Sequence, residues 1–136
     1  MNPKQNILTL LALTAMFSCR IFDEGKNELI KEYYNPQQSM KVIVFKKPGN
    51  ATVSNSIQAS IEGYDYELTN KDVGNVFVAD QLEGMNLPKD SLLIVKWIDN
   101  NTVEFTYHAK IRTFKTEKGF ENNVGKVNIK YRTTVE

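Results

Sequence analysis

Side chains able to do covalent or acid–base chemistry at neutral pH are scarce in this chain. It holds one cysteine, Cys19, and one histidine, His108, among 136 residues. Cys19 lies just past an eleven-residue, mainly apolar run, Ile7 to Phe17, with small Ser18 between them. Lys4 adds positive charge beside the N-terminal amine. A basic start, a short apolar segment, a small residue and then a thiol is the layout of a lipoprotein signal, in which the sulfur is acylated and the cysteine becomes the new N-terminus. A bilayer-spanning helix needs about 20 apolar residues, and here Arg20, Asp23 and Glu24 end the run at once. A plain secretory signal fits the hydrophobicity equally well but gives the cysteine no task.

The chain therefore divides into a lipoprotein signal peptide at 1–18, a lipidated tether at 19–27 and a β domain at 28–136. Met16 and Phe17, ahead of Ser18, resemble the looser forms of the lipoprotein box. The implied partner is a lipid bilayer, reached through acylated Cys19. Arg20 directly after the cysteine points to the outer membrane of a bacterial envelope.

No catalytic residue is assigned. A serine triad requires a histidine held by a carboxylate beside a nucleophile, whereas His108 falls on the polar side of an alternating segment with no serine motif near it. Asp65, Glu67, Asp72 and Asp80 could serve glycosidase or calcium chemistry only if they converged. Their spacing matches neither a paired-acid site nor an EF-hand loop. Gly49, Gly63 and Gly74 are isolated and build no phosphate cradle. Neither a metal nor a cofactor is expected.

Two aromatic groups suggest contact chemistry. Trp97 shares a period-two face with Leu93 and Val95, which reads as core packing. Tyr64 and Tyr66, flanking Asp65 in Gly63-Tyr-Asp-Tyr-Glu67, sit in a polar loop and form the candidate partner-contact set.

Composition narrows the function classes. Loss of residues 1–18 leaves 118 residues, and since only Lys4 goes with them, 16 basic groups remain against 16 acidic ones. A neutral domain carries no polybasic footprint, so no nucleic-acid partner is expected. With no second cysteine the fold must stand without disulfides.

The remaining signals are those of strands and turns. Glu28–Tyr34 reads as an extended entry, stopped by Asn35-Pro36-Gln37-Gln38-Ser39. Met40–Phe45 is β-branched and aromatic. In Ser56–Ile61, residues Ile57, Ala59 and Ile61 face inward and Gln58 and Ser60 outward. Gly63 to Gly74 reads as a polar loop or a weak hairpin, followed by a strand at Asn75–Ala79 and a loop at Gln81–Asp90. Ser91–Ile98 is apolar on both faces apart from Lys96, which predicts a central strand. Asp99-Asn100-Asn101 turns it into alternating Thr102–His108 as a hairpin, with Lys110–Lys115 as an extension. Lys126–Arg132 alternates again. The expected fold is all-β: a single antiparallel, meander or sandwich-like domain of roughly six to eight strands.

With the strands placed, Tyr34-Asn35-Pro36-Gln37-Gln38-Ser39-Met40-Lys41, Gly49-Asn50-Ala51-Thr52, Gly74–Val78, Val95–Asn100 and Val127–Tyr131 resemble the motifs of a family of small bacterial lipoproteins with a SPDGKY-like turn and a GATT-like loop. That resemblance implies an envelope compartment and a β fold, and no established activity. The expected function is that of a membrane-anchored, non-enzymatic accessory or protein-interaction domain with an envelope protein partner. A ligand-binding, inhibitor or immunity-type lipoprotein is the alternative, and a small hydrolase the third reading.

Overall fold

Alternating apolar and polar residues form strands because the period of two puts every second side chain on one face, where it can be buried. In the computed structural model this happens nine times among the described residues: β1 (Glu28–Tyr34), β2 (Met40–Lys47), β3 (Ser56–Gly63), β4 (Phe77–Asp80), β5 (Leu93–Asp99), β6 (Thr102–His108), β7 (Thr113–Thr116), β8 (Gly119–Glu121) and β9 (Lys126–Thr134). One 3-10 turn, Lys89–Ser91, precedes β5. The structure describes residues 25–80 and 88–135. The expected signal peptide, Cys19, the expected tether up to Glu24 and most of the Gln81–Asp90 loop lie outside the described residues.

The strands form two sheets: β1-β2-β3-β4-β7, here sheet A, and β5-β6-β9-β8, sheet B. They pack face to face as a single sandwich-like domain, in keeping with the all-β expectation. Three features depart from it. Nine strands are described against the roughly six to eight expected, because Lys110–Lys115 does not prolong β6 and Gly119–Glu121 forms a short strand of its own. The Ile111 amide bonds back to the His108 carbonyl at 2.9 Å and turns the chain away, so β7 pairs with β4 in the opposite sheet. The meander is also interrupted: β9 runs parallel to β6, from Thr102 beside Asn128 to His108 beside Thr134. The β7–β8 excursion supplies the crossover that a parallel pair requires. Finally, β5 is an edge strand of sheet B, with Ile94 and Ile98 each 50% exposed. The strands buried on both faces are β2 and β3.

Between the sheets, Val42, Val44, Ile57 and Ala59 meet Leu93, Val103, Phe105 and Val127. Phe105 meets Phe77 edge-on at 6.1 Å and Tyr131 edge-on at 5.6 Å, while Phe77 and Tyr131 stack at 6.4 Å. Burial, followed by the charge of Glu117, pushes the Tyr131 phenol up, so it stays protonated and donates to the Glu117 carbonyl at 2.7 Å. Trp97 does belong with the core, and its indole Nε1 donates across the seam to the Tyr33 carbonyl at 2.8 Å. Beside it, the buried Asn35 amide accepts from the Ser39 and Met40 amides and donates to the Asn100 carbonyl. The β1–β2 and β5–β6 turns are thereby tied at one end. A polar group taken out of water must find such partners.

Candidate interaction site

Alternation assigns Lys41, Ile43, Phe45, Gln58 and Ser60 to the outer face of sheet A, yet all five are buried. Part of the cover is the long loop after β3. It hydrogen-bonds to the sheet through outward side chains: the Gly74 amide to Gln58 Oε1 at 2.7 Å and the Asn75 amide to Ser60 Oγ at 3.1 Å. Asn75 closes the loop by pairing both ends of its side-chain amide with the Ile61 backbone, as a strand neighbour would. The register sets Phe45 beside Gln58 and Ile43 beside Ser60, so those apolar side chains share the covered region. Gln58 and Ser60 are thus not the solvated face that alternation alone suggests.

Asp72 is the hub that stiffens this loop. Its carboxylate accepts from the Thr69 amide at 2.7 Å, the Thr69 hydroxyl at 3.0 Å and the Tyr66 hydroxyl at 2.9 Å. Its carbonyl accepts from Asn27 Nδ2 and from Lys47 Nζ, both at 3.0 Å. Burial works to raise the Asp72 carboxyl, but the bonds from Thr69 and Tyr66 and the Lys47 charge outweigh it and hold the group below its ordinary value. The bond to Asp72, then burial, pushes the Tyr66 phenol up. Glu62 moves the opposite way: burial, reinforced by the Asp72 charge, raises its carboxyl.

A shallow depression of about 530 Å³ lies between this loop and β1, lined by Asn27, Leu29, Glu32, Lys41 and Tyr64 to Leu68. Its polar core is an ion pair at 2.8 Å between Lys41 Nζ and Glu32 Oε1, with side chains 5% and 27% exposed. Tyr34 completes the cluster, its hydroxyl donating to Glu32 Oε2 at 2.9 Å and its ring 5.4 Å from the Lys41 ammonium. For both ions burial is the largest single influence and opposes charge. Their mutual bond and attraction prevail, so Glu32 lies below and Lys41 above its ordinary value.

The expected contact residues therefore share one rim but differ in role. Tyr64 is 58% exposed and Asp65 is exposed beside it, whereas the Tyr66 hydroxyl is engaged by Asp72. Sequence reasoning missed Glu32 and Lys41. The one available signal was a lysine inside the otherwise apolar Met40–Phe45 run. The carboxylates weighed for catalysis do not gather: Asp72 braces the loop while Asp80 accepts from Arg112 Nε at 2.9 Å. His108 Nδ1 accepts from the Lys110 amide at 3.1 Å, within its own turn. Among the described residues no group of three or more His, Cys, Asp or Glu side chains could hold a metal ion. No helix of the described residues is long and apolar enough to cross a membrane. No family model, curated protein or solved structure matches the chain.

Proposed function

We propose that this chain is a lipid-tethered envelope protein whose β domain works, without catalysing a reaction, by contact with a protein partner at the Tyr64–Asp65–Tyr66 rim. The observation carrying the reading is the braced loop. Asp72 holds it through two side chains and a backbone amide, so Tyr64 projects from a support already ordered before a partner arrives. A contact residue on a pre-ordered support gives up less conformational entropy on binding than one on a free loop. A half-exposed tyrosine beside a carboxylate and a shallow depression has the chemistry of an interface anchor. The Cys19 layout supports the tether, as does the resemblance to small bacterial lipoproteins.

A photo-crosslinking residue in place of Tyr64, in cells making the full chain, tests the contact. One discrete envelope adduct that disappears with Asp65→Lys is expected. No discrete adduct, or one indifferent to Asp65, defeats the contact reading. The intact mass of the native protein beside Cys19→Ser tests the anchor separately: loss of residues 1–18 plus acyl chains is expected only with the cysteine present.

A further inference from the structure

The two outer faces of the sandwich differ in cover and also in charge. On sheet A the segment from Glu62 to Asp72 holds four carboxylates, Glu62, Asp65, Glu67 and Asp72, against Lys71 and the Lys47 ammonium that reaches the loop, a surplus of two negative charges. On sheet B, register and alternation place Lys96, Lys126, Lys130 and Arg132 outward against Asp99, Glu104 and Glu121, a surplus of one positive charge. Glu104 is held by Arg132 at 3.3 Å, and among the described residues Lys96 and Lys130 form no ion pair. They stand either side of Glu104 on one rung of the sheet. Along β5 the outward residues are Ile94, Lys96 and Ile98, with both isoleucines 50% exposed. Among the described residues no element lies over this face.

We propose that the outer face of sheet B rests on an anionic lipid surface, with Lys96, Lys130 and Arg132 meeting headgroup phosphates and Ile94 and Ile98 entering the interfacial layer. Charge complementarity chooses this occupant. A second copy of the chain would bring the same positive surplus against it, and the opposite, acidic side of the domain would be repelled by the same lipid. An isoleucine–lysine–isoleucine stripe suits a headgroup boundary, because lysine's stem can lie on apolar material while its ammonium reaches phosphate. The tether leaves the orientation open: nine residues, 19–27, reach at most about 30 Å, enough for the domain to lie on either side. One net charge, at about 1 kcal/mol near an anionic surface, amounts to roughly a 5-fold preference for this side. Such a bias is too weak to recruit a free protein but sufficient to orient one already held at the membrane. In that last step the inference rests on the tether proposed above. It would leave the Tyr64 rim, on the other sheet, turned away from the lipid.

The test uses the full-length gene product, purified from cell membranes and added to vesicles of phosphatidylcholine alone or with anionic phosphatidylglycerol. Retention on the neutral vesicles reports the acyl anchor by itself. Acetylation of lysines with a water-soluble reagent, read by mass spectrometry, reports the face. Lys96 and Lys130 are expected to react several-fold more slowly on anionic than on neutral vesicles, while Lys71 is unchanged, and high salt should abolish the difference. Protection on anionic vesicles without retention on neutral ones would remove the anchor and keep the face. Equal labelling on both vesicles, protection of Lys71 in place of Lys96, or no binding to either would overturn the proposal. So would protection seen in cells but in neither vesicle, which would assign the face to a protein. If Ile94→Ser with Ile98→Ser leaves the folded protein's protection unchanged, the interfacial role of the isoleucines is wrong.

Discussion

The outer face of sheet A and the outer face of sheet B come from the same kind of sequence and end in opposite environments. Gln58 and Ser60 on β3 alternate with apolar residues just as Glu104 and Thr106 do on β6. Yet the first pair is buried and bonded to the following loop, while the second is only half-buried. Burial of an outward face follows from what the next segment of chain can offer it. The Tyr64–Asn75 loop brings amides and an asparagine side chain that satisfy Gln58, Ser60 and the Ile61 backbone, so those polar groups can leave water without a net penalty. Among the described residues no connection of sheet B lies across its outer face. The ion pairs repeat the lesson. The carboxylates of the two pairs are alike, Glu32 27% and Glu104 21% exposed, but Lys41 is 5% exposed and Arg132 69%.

Substitutions at equivalent outward positions should therefore cost very different amounts. Phe45→Ala, fully buried on the outer face of sheet A, should have the largest effect, about 3–5 kcal/mol of unfolding free energy. Urea denaturation would measure it, and a loss under about 1 kcal/mol would mean that this face is not sealed. Glu32→Ala should follow at about 3 kcal/mol, because it strands the Lys41 ammonium in a buried site. Lys41→Met in the same background should recover much of that loss; without recovery, the penalty does not come from the unpaired charge.

Acid should attack sheet A through the same groups. Glu32 and Asp72 both titrate lower in the folded protein than their ordinary values of 4.5 and 3.8. A depressed carboxyl stabilises the fold above its unfolded value and loses that contribution as pH falls through the folded one. Stability should thus decline below about pH 4.5, with Glu62, whose carboxyl is raised, pulling weakly the other way. Asp72→Asn should flatten this limb, and an unchanged slope would show that the loop hub is not linked to folding. The smallest effect belongs to sheet B: Glu104→Ala should change stability by no more than about 0.5 kcal/mol, as exposed pairs do. A cost approaching that of Glu32→Ala would erase the contrast between the faces.

Much of the strand pattern is legible in the residue order alone. Val127, Ile129 and Tyr131 alternate against Asn128, Lys130 and Arg132, and all six lie as their order implies. The Asp99–Asn101 turn closes the β5–β6 hairpin where its composition says it should. Central position is not legible. Met40–Phe45 and Leu92–Ile98 are equally apolar runs, each broken by one lysine, and nothing local distinguishes them. In the fold, Lys41 meets Glu32 from the neighbouring strand and the run is buried on both faces, whereas Lys96 stays in solvent on an edge. The candidate rim divides in the same way. Tyr64 and Asp65 are readable as exposed loop residues, but the Tyr66–Asp72 bond joins residues six apart through a loop path that no periodicity encodes.

The sequence by itself determined where most of the strands lie, which side chains of each strand share a face and, with a single cysteine, the absence of an internal disulfide. These follow from short-range order, since backbone pleating and turn chemistry act over a few residues. Only the tertiary structure decided that β9 lies parallel to β6, that β7 leaves for the other sheet, and that one outer face is covered while the other is bare. Each of those outcomes depends on pairing across long stretches of chain, where competing arrangements share the same local pattern. The choice among them is made by which buried polar groups find partners and which apolar faces find cover.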